Sequence, residues 1–171
     1  MTRLFILFVV VFSVMLVEAR RASLNERAQR ARGGIEPPRD VYAFMQIAYP
    51  SLFLLMLGEG MLHGRPSTGL IVLGLLVFTA GKLLKWWAIV TLGRCWTFRV
   101  IVVPGAKPVE DGPYRFLRHP NYVGVVGELV GVALLAGAPV AGVLGTLLFV
   151  GLMALRIRVE NRALDAILRR G

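Results

Sequence analysis

The chain has 171 residues, 56% of them hydrophobic, and a mean hydropathy of +0.67; this excludes an ordinary soluble domain and indicates an integral membrane protein. Its formal charge of +10 is divided into clusters between apolar runs, a distribution that excludes nucleic acid as the partner and fits anionic membrane lipids. One cysteine, Cys95, and two histidines, His63 and His119, are too few for an internal disulfide, an iron–sulfur cluster or a zinc site, so no metal is expected.

Apolar runs cover 4–17, 42–58, 69–90, 122–136 and 139–155. Each crosses or nearly crosses a bilayer core of about 30 Å as a helix. Open sheets do not survive in lipid and no alternating strand pattern is present. The expected fold is therefore all-α and polytopic, with about five transmembrane helices in a single membrane domain over 1–171. Three spans fill 1–91, a polar loop 92–121, a helical hairpin 122–155 and a tail helix 156–171.

The first run follows Arg3 and ends at Val17-Glu18-Ala19, so a cleaved signal peptide is its alternative reading. The basic segment 20–32 has helix-forming composition and stops at Gly33-Gly34. It is expected to lie along the membrane interface, with Asn25 and Arg27 as the residues able to reach a site. Pro50 marks a kink in the second span. The third span ends in Lys82, Lys85, Trp86 and Trp87, read as snorkelling cations and interfacial indoles; lining a lipid entrance is the alternative for the tryptophans.

From 92 to 120 the chain is broken by Gly93, Pro104-Gly105, Pro108 and Asp111-Gly112-Pro113, and no long helix fits. It closes on Gly112-Pro-Tyr-Arg-Phe-Leu-Arg-His-Pro-Asn-Tyr122, a polar and aromatic island at the mouth of a span. Such a segment is hard to explain as packing. The fourth span carries the close-approach pattern Gly127-x-x-x-Gly131 around an ionisable Glu128. Ala136-Gly-Ala-Pro139 then turns the hairpin. Beyond the last span, Arg156 and Glu160 are four apart, share a helix face and are able to pair. The hairpin returns this tail to the side that bears Arg118 and His119. With five spans, the Arg- and Lys-rich stretches 20–39, 82–118 and 156 onward share one side, which predicts an outside N-terminus and a cytoplasm-facing site in a bacterial inner membrane.

The run Gly112 to Gly124, followed by an apolar hairpin and Arg156-x-x-x-Glu160, resembles the isoprenylcysteine carboxyl methyltransferase family, broadly related to the phospholipid methyltransferases. The resemblance covers about the last 80 residues. It implies a multi-span enzyme that moves a methyl group from S-adenosylmethionine to a lipophilic small-molecule or lipidated acceptor. Carried over by position, Tyr114, Arg118, His119, Pro120 and Tyr122 would contact the cofactor, Glu160 would hold its ribose or amino group, and Arg156, the catalytic candidate, would face the acceptor. The family often has two consecutive acids in the tail motif, whereas here the second is Asn161. The stretch from Leu92 to Gly105 looks more like a bacterial branch associated with phenolic polyketide lipids than like the prenyl-protein enzymes. A sterol-type membrane reductase holding a nicotinamide dinucleotide, and a non-catalytic membrane scaffold, are the competing readings.

Overall fold

The computed structural model describes residues 1–38 and 40–168, the last five of these by backbone alone. Arg39 of the first basic cluster and 169–171 of the expected tail helix lie outside the described residues. Five helices make the fold: α1 (Thr2–Ala31), α2 (Tyr42–Leu62), α3 (Thr68–Leu92), α4 (Pro120–Ala136) and α5 (Pro139–Leu168). Four of them, all but α4, are long and apolar enough to cross a membrane. At 17 residues, α4 is the short member, about 25 Å long at 1.5 Å per residue. Among the described residues there is no strand, only an isolated bridge between Ile35 and Val102.

Two apolar clusters hold the bundle. The larger runs from Leu4, Leu7 and Val11 of α1 through Phe53 and Met56 of α2 to Leu129, Val132 and Ala136 of α4, with Phe149 and Met153 of α5. The smaller joins Ala22, Ile89 and Trp96 at the opposite end. The closest helix pair is α3 with α4, because small residues allow backbone contact. A Cβ placed on Gly131 would stand 2.6 Å from the Phe78 backbone nitrogen. Gly137, at φ 73°, ends α4 in the left-handed conformation and lets the chain turn directly into α5. Glu59 of α2 closes that turn, accepting from the Val140 and Ala141 backbone N–H groups at 3.0 and 2.6 Å, and so satisfies donors the new helix leaves free. This is the hairpin end of the bundle.

At the other end, the loop end, the connections 32–41 and 93–119 meet. The segment 20–31 does not form a separate interfacial helix; it continues α1 without a break. The continuation is anchored by amides: Asn25 donates to the carbonyls of Gly93 and Trp96 (3.0 and 2.7 Å), and Gln29 to those of Arg94 and Cys95 (3.1 and 3.0 Å). Arg27 is exposed. The long loop contains only the short 3-10 turns Gly93–Cys95 and Gly112–Arg115, as its glycines and prolines predict. Pro50 is carried within a continuous α2.

Lys82 and Lys85 do not snorkel. Lys85 is 3% exposed and meets Glu18 of α1 at 2.7 Å and Glu128 of α4 at 3.2 Å. Lys82 meets the same two carboxylates at 3.1 and 3.0 Å. Tyr49 of α2 donates its hydroxyl to Glu128. Two acids and two bases thus cancel inside the bundle, which is how buried charge becomes tolerable. Trp86 packs on the smaller apolar cluster and Trp87 is half exposed.

Candidate active site

The site is built where α4 begins and α5 runs past it. Tyr114 stands on the second 3-10 turn. Burial and the nearby Glu160 carboxylate push its phenol well above the ordinary value, so it remains a neutral donor. His119 occupies the N-cap of α4 and Pro120 its first position, where a missing N–H costs nothing. Pro120 is fully buried and lines neither of the two chambers that meet at this site. Tyr122, one turn on, is the central group: its hydroxyl donates to Glu160 Oε2 at 3.0 Å and accepts from Arg156 Nε at 2.9 Å.

Arg156 and Glu160 therefore do not pair directly. Tyr122 is inserted between them, and the guanidinium is committed elsewhere on every nitrogen. Nη1 reaches both oxygens of Asp40 (3.3 and 3.4 Å), and Nη2 donates to the Phe98 carbonyl. His119 Nδ1 lies 3.8 Å from Glu160 Oε2, while its Nε2 is buried with no hydrogen-bond partner. Asn161 Oδ1 is buried and unpartnered in the same way.

Two cavities share this constellation. A polar one of about 810 Å³ is lined by Tyr114, Arg118, His119, Tyr122, Arg156, Glu160 and Asn161, along with loop residues from Val100 to Glu110. A second, of about 480 Å³, lies inside the bundle among Met15, Ala19, Met45, Val125, Phe149 and Met153. Trp96, Thr97, Arg99, Asn121, Tyr122 and Arg156 line both and form the partition. Across it Trp96 Nε1 approaches Asn121 Oδ1 at 3.4 Å. One polar and one largely apolar chamber, meeting at a thin hydrogen-bonded wall, can hold a polar ligand and a lipophilic one end to end.

Sequence reasoning brings Tyr114, Arg118, His119, Tyr122, Arg156 and Glu160 to one cavity, and the structure places all six there. It overlooks Asp40, Trp96, Asn121 and the ion pairs of Glu36. Asp40 accepts from the Val100 N–H at 3.4 Å as well as from Arg156. Glu36 binds Arg30 at 2.6 Å and Arg99 at 2.7 Å. Burial raises the Glu36 carboxyl, but those two arginines outweigh it and hold the group below its ordinary value. An acid was findable by its rarity, since the chain has only 10; its distant partner was not.

A bundle of apolar helices enclosing a polar chamber joined to a largely apolar one defines a class, that of polytopic membrane proteins with an internal ligand-sized site. Residues 72–166 match the isoprenylcysteine carboxyl methyltransferase (ICMT) family, and the chain belongs to it. It is 30% identical over 145 residues to the uncharacterized protein YpbQ of Bacillus subtilis, covering 84% of this chain and 86% of that one. An uncharacterized protein of Haemophilus influenzae is 25% identical over 144 residues, covering 82% and 83%. No solved structure matches.

Proposed function

We propose that the protein is an S-adenosylmethionine-dependent methyltransferase whose acceptor is a membrane-partitioned amphiphile carrying a hydroxyl. The observation that carries this reading is the pair of chambers meeting at Tyr122. The polar chamber fits a nucleoside-bearing cofactor, because His119 Nε2 and Asn161 Oδ1 are buried there without partners and such atoms call for donors or acceptors on a ligand. Bound there, S-adenosylmethionine supplies an electrophilic methyl group on a sulfonium centre. His119, Glu160 and Tyr114 fix the polar ligand, and Arg118 offers a cation at the exposed edge.

The chain's contribution is alignment and exclusion of water. Arg156 faces the acceptor across the partition, yet its nitrogens are engaged by Tyr122, Asp40 and Phe98. It has no free fork for a carboxylate, which favours a phenolic or enolic hydroxyl over an isoprenylcysteine carboxylate. A hydroxyl must shed its proton. Tyr122 stands at the partition with its own O–H directed at Glu160, so it receives that proton on its oxygen as it passes one on to the carboxylate. Arg156 acts by holding Tyr122 in place. The basic loop end faces the cytoplasm, the source of the cofactor, in this reading.

Calorimetric titration of S-adenosylmethionine into the detergent-purified protein tests the proposal. Saturable binding is expected, lost in folded His119→Ala and Glu160→Ala variants. Binding of NADPH in its place, or of neither ligand, would sink it in favour of a reductase or a scaffold.

A further inference from the structure

Four charged side chains inside the bundle are not used by this chemistry, and the packing does not require them. The α3–α4 pair is already clamped by glycines at Gly81, Gly124 and Gly131. α1 is held by Leu4, Leu7 and Val11 at one end and by Asn25 and Gln29 at the other. Replacing buried ion pairs by apolar residues is often neutral or stabilising. An intramembrane charge cluster is therefore a candidate for function.

Its position supplies the function. Glu18, Lys85 and Tyr49 line the inner chamber alongside its apolar residues. Glu128 follows Tyr122 by six positions on α4, which puts the cluster roughly 9 Å deeper than the partition at 1.5 Å per residue. Hydrogen-bonding capacity remains there. The Lys85 ammonium has three N–H donors, and Glu18 and Glu128 take two. Tyr49 donates to Glu128 and keeps its oxygen lone pairs. Glu18, 1% exposed, retains acceptor capacity beyond its two lysine contacts.

We infer that Lys85, Tyr49 and Glu18 form a second polar contact for the acceptor, which carries a further oxygen function roughly 10 Å from the atom presented at Tyr122, a spacing set by the helical rise. That oxygen accepts from Lys85 and, as a hydroxyl, donates to the Tyr49 oxygen, while Glu18 holds the Lys85 ammonium in place. Methionines and Val125 cover the apolar stretch between the two contacts. The inference rests on the inner chamber being the acceptor site.

A matched pair of rigid probes tests it: para,para-biphenol, with a hydroxyl at each end, and para-phenylphenol, which lacks one. Calorimetry on the full-length protein in detergent is expected to show the biphenol bound about ten-fold more tightly or better, as a hydrogen bond to a charged group provides. The preference is expected to collapse in Tyr49→Phe and in Lys85→Gln, with thermal melting as the folding check. Tyr49→Phe keeps all four charges and so serves if Lys85→Gln does not fold. Equal affinity for the two probes, or a preference that survives in both variants, overturns the inference. S-adenosylmethionine is titrated into the same samples. A biphenol preference without cofactor binding would remove the methyltransferase reading and leave the second contact standing.

Discussion

Tyr122 is the residue on which the site turns. Its single hydroxyl satisfies Arg156 Nε and Glu160 Oε2 at once, so Tyr122→Phe removes little volume but strands the buried Arg156 Nε–H and leaves the partly exposed Glu160 carboxylate one donor short. Leaving such groups unpaired costs about 1–3 kcal/mol. The variant is expected to melt at a lower temperature in detergent and to bind S-adenosylmethionine more weakly, both measurable on one preparation. Unchanged binding would show that the bridge does not shape the polar chamber. The four-residue spacing of Arg156 and Glu160 was legible in the chain, and it does put both side chains on the site. What the spacing could not disclose is that a tyrosine 34 residues before Arg156 intervenes, or that Asp40, 116 residues away, takes the guanidinium. Local periodicity reports which face a side chain occupies; competition for its hydrogen bonds is decided by elements distant in sequence.

The helices carry a similar lesson. Their existence and nearly all their bounds follow from apolar run length and from punctuation by glycine and proline. The basic segment 20–31, however, continues α1, because the Gly33-Gly34 stop lies beyond it and nothing before that stop breaks a helix. Lys82 and Lys85 read equally well as snorkelling cations, since their partners Glu18 and Glu128 lie 64 and 43 residues from Lys82 and Lys85 respectively. Glycine patterning was the more reliable signal, and it predicts where α3 and α4 resist change. Gly131→Val is expected to destabilise the bundle by about 1–3 kcal/mol, the cost of overpacking, because its Cβ meets the Phe78 backbone. Gly151→Val on α5, with nothing within 4 Å, is expected to be near neutral. Comparable losses of melting temperature in the two variants would mean that the α3–α4 contact is looser than a 2.6 Å Cβ approach implies.

For the whole molecule, the two ends of the bundle differ in charge, and the difference determines which compartment can load the polar chamber. The hairpin end offers Arg3 and Arg65, whereas the loop end gathers Arg20, Arg21, Arg27, Arg30, Arg32, Arg94, Lys107, Arg115 and Arg118. Positive residues flanking spans are retained on the cytoplasmic side during insertion, so the loop end is expected there. The chain carries its own reporter of that orientation. Cys95 is its single cysteine and is exposed on the 3-10 turn after α3, adjacent to Trp96 of the partition and itself on the polar chamber's lining. A membrane-impermeant maleimide is expected to label it in inside-out bacterial vesicles and not in intact spheroplasts. Adding S-adenosylmethionine before the maleimide is expected to slow labelling, because a ligand filling that chamber shields the thiol from solvent. Labelling from outside alone would invert the topology and separate the chamber from its cofactor supply. Inside labelling that the cofactor leaves unchanged would retain the orientation and place the ligand elsewhere.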